Sequence, residues 1–217
     1  MPQELNSENE QALPGHVAST AGLGVTGAEA MQRGADISPC GLYRYDLWRR
    51  WSQLGGVVMF VGLNPSTADA TLDDPTIRRC IGFARYWGFG GLVMTNLFAW
   101  RATDPRDMRA AAEPVGPRND DALRYHSEHS SCVVAAWGAH GTHQGRDAAV
   151  RAMLPRLHYL RLTKNGHPGH PLYLPASLRP VEWLTPNPAN RADPPGLPGG
   201  PLIGNVRRLV NGEEEQR

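Results

Sequence analysis

Five consecutive apolar residues, 57–61, run into Gly62-Leu63-Asn64-Pro65-Ser66. A strand buried on both faces reads as such an unbroken run, whereas a half-exposed strand alternates apolar with polar. Similar runs recur at 90–98, 132–138 and 157–162, and each stops at a polar or glycine-rich loop. Between them lie segments with helical spacing. Asp74-Pro75 is a helix start, because the carboxylate caps free amides and proline suits the first helical position. Ile77, Cys80, Ile81 and Ala84 then share one face of a helix that ends near Gly88. Residues 118–130 and 146–154 read as two more helices, and the aromatic-rich stretch 41–51 as a strand leading into a turn at Gly55-Gly56. Strand–loop–helix recurrence with continuous apolar strands predicts a three-layer α/β/α fold around a four-stranded, mostly parallel sheet.

The pattern fades at both ends, where many of the 24 glycines and 19 prolines sit. Residues 1–37 read as a flexible tail, 38–185 as the domain, and 186–217 as a Pro/Gly-rich linker with a charged tail. A net charge of +1 gives no whole-molecule field toward nucleic acid or membrane, so any such binding is expected to be local. No apolar run reaches the roughly 18 residues of a membrane span. The opening MPQELNSENE lacks the basic and apolar regions of a secretory signal, which points to the cytoplasm. Cys40, Cys80 and Cys132 are odd in number and read as buried small hydrophobes in a reducing compartment.

Ligands of parallel α/β sheets bind beyond the carboxyl ends of the strands. The loops after Val61, Leu97, Trp137 and Leu162 are therefore expected to converge on one pocket. In the first of them Gly62 permits close approach, and Pro65 stiffens the turn that presents Asn64. A neutral amide there can orient a water through its carbonyl oxygen while its nitrogen donates. Asp69 and Asp73 follow closely and are candidates for water activation or a sugar hydroxyl, while Asp74 is read as the helix cap. Arg78, Arg79, Arg101 and Arg106 flank the same rim and could meet phosphates. His140 and His143 with His167 and His170 could form a four-nitrogen metal site, but His-x-x-His in a glycine loop is not the helical spacing of metallohydrolases. Neither a metal nor a cofactor is expected. His126 and His129, on a polar helix face, read as solvent-exposed. Phosphate-loop and dinucleotide glycine patterns are absent.

The blocks FVGLNPS, TNLFAWRATD, VVAAWGAHG and LTKNGHPGHPLYL resemble an uncharacterised bacterial domain family along residues 40–184. In the same order they are similar to the uracil-DNA glycosylase superfamily, specifically its mismatch-specific uracil/thymine branch. Gly62-Leu63-Asn64-Pro65 follows that branch's first motif with Ser66 in place of glycine, and His170-Pro171 follows its last, with Leu172 in place of serine. The resemblance implies a glycosylase-like fold in which Asn64 positions the attacking water and His170 donates to the departing base. Gly62, Leu63, Pro65, Ser66, Asn96, Trp100, Arg101, Gly138 and Pro171 would then surround the substrate, and Arg78 and Arg79 would bind phosphate. A flipped base would stack on Phe83, Tyr86, Phe98 or Trp100. Three scattered cysteines do not suit the four-cysteine iron–sulfur cluster of some branches. The expected partner is nucleic acid or a nucleotide-like ligand, with no membrane. Two alternatives are a module that binds a modified base without catalysis and a hydrolase of free nucleosides or nucleotides.

Overall fold

The computed structural model describes residues 30–184 apart from Thr67 and Pro155. Most of the N-terminal tail and all of the C-terminal one, 186–217, lie outside the described residues. In chain order the elements are β1 (Gln32–Ile37), β2 (Arg44–Arg50), β3 (Val57–Gly62), α1 (Pro75–Tyr86), β4 (Gly91–Asn96), α2 (Pro105–Ala110) and α3 (Asn119–Glu128). They continue with β5 (Cys132–Ala135), α4 (Arg146–Met153), β6 (Leu157–Tyr159) and β7 (Val181–Glu182). Short 3-10 segments occupy Gly138–Gly145 and Pro171–Tyr173. None of the described helices is long and apolar enough to cross a membrane.

The α/β class holds, but the sheet is neither four-stranded nor mostly parallel. Among the described residues it has seven strands in the order β1-β2-β4-β3-β5-β6-β7. The four apolar runs become β3, β4, β5 and β6, which are neighbours joined by three parallel pairings. Three antiparallel pairings add β2, β1 and β7 at the flanks and make the sheet mixed. Of these only β2 was expected as a strand, because β1 reads QRGADI and β7 has two residues, so neither carries an apolar signature. β1 also lies inside the span assigned to the tail, and the ordered sheet therefore begins before residue 38.

Why continuous runs form the centre is visible in their alternation. Val58 and Phe60 of β3, Leu92 and Met94 of β4, and Val134 of β5 join one core with Ile77, Cys80, Phe83 and Ala84 of α1. Met59, Val61, Val93, Val133 and Ala135 enter a second core with Met108 of α2, Leu123 of α3 and Val150 of α4. The two cores make the three layers. Each fully buried side chain of this size contributes about 1.5–3 kcal/mol of transfer free energy. Asp74 caps α1 as expected, accepting from Ile77 N at 2.8 Å, with Pro75 at the first helical position. α2 starts on the same signal, Asp104-Pro105, yet lies within a stretch read as loop. Two readings of single residues also change. Cys80 is buried, but Cys132 is half-buried and Cys40 exposed, each a free thiol. His126 is not freely solvated, because its Nε2 lies 2.9 Å from Asp46 Oδ2, whose side chain is also mostly covered.

One irregularity prepares the site. Asp36 faces Asp46 but Ile37 faces Arg44, so Tyr45 is an extra residue in β2. Such a bulge breaks strict alternation and re-aims the side chains around it. Arg44 and Arg49, an odd number of residues apart, accordingly both reach the 68–73 segment, at Ala68 O and Asp69 O.

Candidate functional site

At the carboxyl ends of β3, β4 and β5 the loops enclose a cavity of about 610 Å³. Its wall takes Gly62, Leu63, Asn64 and Ser66 from the loop after β3 and Asn96 from the end of β4. Gly138 and His140 come from the segment after β5, and His170 from the loop after β6. The loops expected to converge do so, and Asn64 and His170 share one cavity.

The Asn64 loop is zipped to the loop after β4. Leu97 N donates to Gly62 O, Phe98 N to Leu63 O and Ala102 N to Pro65 O, at 2.9–3.0 Å. Asn64 joins the seam by its side chain, with Nδ2 donating to Ala102 O at 2.7 Å and Pro65 O at 3.1 Å. Two carbonyl acceptors fix which end of the amide is nitrogen. Oδ1 is left as the acceptor without a protein partner among the described residues. Gly62 makes room for the same seam: a Cβ on it would fall 2.7 Å from Asn96 Oδ1.

His170 opens the Pro171–Tyr173 turn and accepts from Leu172 N through Nδ1 at 3.4 Å. That assignment puts the proton of the neutral ring on Nε2. Burial holds its pKa below the ordinary 6.5, with Asp74 opposing the shift, so the ring is neutral at pH 7. Gly138, at φ 71°, lets the chain pass close by, and a Cβ there would sit 4.0 Å from that of His170.

Other candidates from the sequence lie off the wall. Asp69 Oδ1 closes a local turn by accepting from Thr71 N, Thr71 Oγ1 and Leu72 N. Asp73 pairs with Arg49 at 2.8 Å. Arg78 donates to Asp73 O, Arg79 to Leu174 O, and Arg101 to Gly41 O at 2.9 Å. Pro65 and Pro171 are buried and do not line the cavity. Arg106 pairs with Asp104. Of the proposed stacking rings, Phe83 and Phe98 are core, Tyr86 lies under Arg179, and Trp100 meets Tyr43 edge-on. Trp137 and Tyr173 are the aromatic side chains on the wall, Tyr173 being exposed and 5.6 Å from the His170 ring centroid. The four histidines do not assemble. His143 packs on Phe98, and among the described residues no group of three His, Cys, Asp or Glu side chains is placed to hold a metal.

Sequence reasoning missed Arg44 and gave Asp74 only a capping role. Both are on the wall. Three arginines are buried among the described residues. Arg49 spreads its guanidinium over Asp73 and the carbonyls of Gly34, Trp48, Asp69 and Leu72. Arg146 pairs with Asp120 and donates to Leu97 O, beside Asn119, whose Nδ2 bonds Asn96 O and Leu97 O. Arg44, 2% exposed, donates only from Nη1, to Ala68 O at 2.5 Å, and its Nε has no partner among the described residues. Burial pushes its pKa down to about 10, which still leaves a cation at neutral pH.

No curated protein and no solved structure matches the chain. Residues 44–172 match the family described as "Protein of unknown function (DUF1643)", a span that starts at Arg44, ends at Leu172 and holds every wall residue discussed above except Tyr173. With more than half of its length matched, the chain belongs to that family.

Proposed function

We propose that the cavity binds the base and sugar of a nucleotide-like ligand and that the protein hydrolyses the N-glycosidic bond between them. The observation that carries this reading is the Asn64 amide: its nitrogen is held by two carbonyls, while Oδ1 has no partner among the described residues and shares the cavity with a neutral His170. Asn64 Oδ1 accepts a hydrogen bond from water and holds its oxygen toward the anomeric carbon. As the carbon–nitrogen bond breaks, its electron pair goes to the base, and the His170 Nε2–H donates a hydrogen bond to a base oxygen where that charge gathers. An amide does not take the water's proton. Asp74, the carboxylate on the wall, accepts it through Oδ2, since Oδ1 is engaged in capping α1. Tyr173 offers its exposed ring to a base face. The motif order shared with the uracil-DNA glycosylases supports the same roles for Asn64 and His170.

A free nucleoside or nucleotide is favoured over a base within a nucleic-acid strand. Arg78, Arg79 and Arg101 donate to the protein's own backbone carbonyls and do not lie on the cavity wall.

The test is base release from modified oligonucleotides and from the matching free nucleosides and nucleotides. Asn64→Ala is expected to lower turnover by about 10²–10⁴-fold with a smaller change in apparent affinity. Absence of release from every substrate would leave a binding module. A folded Asn64→Ala protein with undiminished release would remove Asn64 from the chemistry.

A further inference from the structure

We propose that Arg44 and Asn96 form an oxyanion receptor in the cavity, so that the natural ligand is a small anion carrying a phosphate monoester or a carboxylate. This deepens the reading above by naming the ligand class, but it rests on binding and stands whether or not a bond is cleaved.

The starting point is an imbalance. Arg49 and Arg146 each meet a carboxylate, as buried guanidinium groups must if their desolvation is to be offset. Arg44 is as deeply buried, yet no carboxylate lies within salt-bridge distance among the described residues. A buried cation with an unsatisfied N–H is unfavourable by itself. It is also the buried arginine that lines the cavity, whereas the two paired ones do not.

A second orphan shares the wall. Asn96 is 3% exposed, and its Nδ2 has no partner among the described residues. The backbone carbonyl of Asn96 is engaged by Asn119 and that of Leu97 by Asn119 and Arg146, and Gly62 leaves the space the Asn96 carboxamide needs. α1, 12 residues long, also opens on the cavity through Thr76 and Ile77, adding the positive end of its dipole.

The size of the charge narrows the ligand. Asp74 sits at the same helix end and offsets part of the positive field. One enclosed cation beside one carboxylate suits a single oxyanion group rather than a chain of phosphates. A guanidinium binds phosphate and carboxylate oxygens by the same charge-assisted hydrogen bonds, so the geometry fixes the shared chemistry.

The experiment is titration calorimetry with the full-length protein, using nucleoside 5′-monophosphates, the matching nucleosides, inorganic phosphate and acetate as probes. Monophosphates are expected to bind at least about tenfold more tightly than nucleosides, the effect of one hydrogen bond to a charged group. Tighter binding of phosphate than acetate would assign the group as a phosphate, and the reverse as a carboxylate. Arg44→Gln should erase the preference for the anionic probe, Arg44→Lys should retain part of it, and Asn96→Ala should reduce it. If Arg44→Gln does not fold, the lysine and Asn96 variants decide. Equal binding of nucleoside and monophosphate, or an unchanged preference in the folded variants, overturns the proposal. Selective anion binding without base release would uphold it while refuting hydrolysis. Base release that ignores charge would do the opposite.

Discussion

Arg44 and Arg49 stand on one strand, are equally hidden from solvent, and touch adjacent stretches of the same loop, yet their surroundings are opposite. Around Arg49 every donor group has a partner and Asp73 supplies the counter-charge. Around Arg44 the described residues offer a single carbonyl, and a cavity begins. The first arrangement is what stability alone would select. The second leaves stabilisation unrealised, as binding sites do, because groups kept ready for a ligand cannot also be satisfied internally.

The comparison can be broken most forcefully at Arg49. Arg49→Met should lower unfolding free energy by about 3–5 kcal/mol, since it strands Asp73 and several loop carbonyls, and urea titration would read it directly. A loss below about 1 kcal/mol would mean that the clamp is ornamental. The same substitution at the other arginine sharpens the contrast. Arg44→Met gives up one hydrogen bond but also removes an unpaired buried cation, so stability should change by about 1 kcal/mol or less in either direction. A collapse as large as that at Arg49 would place Arg44 among the structural clamps.

The smallest effect concerns His170, which shares the cavity wall with Arg44. Its folded pKa is depressed below 6.5, so the folded protein binds fewer protons there than the unfolded chain does. Its contribution to stability is fully present above pH 6.5 and is lost as pH falls through the lowered folded value. Protonation also deprives Leu172 N of its acceptor. Unfolding curves at about pH 7.5 and about pH 5 should diverge less in His170→Gln than in the parent protein. Identical pH dependence in both would show that the ring titrates as if in water.

What the sequence revealed and what it hid follow from where each signal resides. β3 to β6 were legible because strands buried on both faces must be continuously apolar. The outermost strands were not, since β1 needs only one partner and β7 has only two residues. α2 carries the same Asp-Pro start as α1, but with six residues and Met108 its only buried one it has no apolar period to read. In the site, Asn64 and His170 were accessible through their position after strands. Asp69 and Asp73 seemed equally placed by proximity in the chain, but Arg49, far away in sequence, draws that loop to the other side. Arg44 was invisible for a related reason. Its significance is that no carboxylate among the described residues lies within salt-bridge distance, as one does for each of its two counterparts, and such an absence appears only when the chain is folded.

The seam between the loops after β3 and β4 has one more consequence, for how a ligand gets in. Three backbone bonds and the Asn64 amide make these loops a continuation of the sheet beyond its strands. Their amide protons at Leu97, Phe98 and Ala102 are locked in that ladder, whereas residues 163–167 form a small turn closed on itself. The stretch beyond that turn is tied as well: Gly169 N donates to Arg161 O, and Arg79 of α1 donates to Pro171 O and Leu174 O. Both sides of the cavity are braced, one by the sheet and one by α1, so an entering ligand meets Asn64 and His170 already in place.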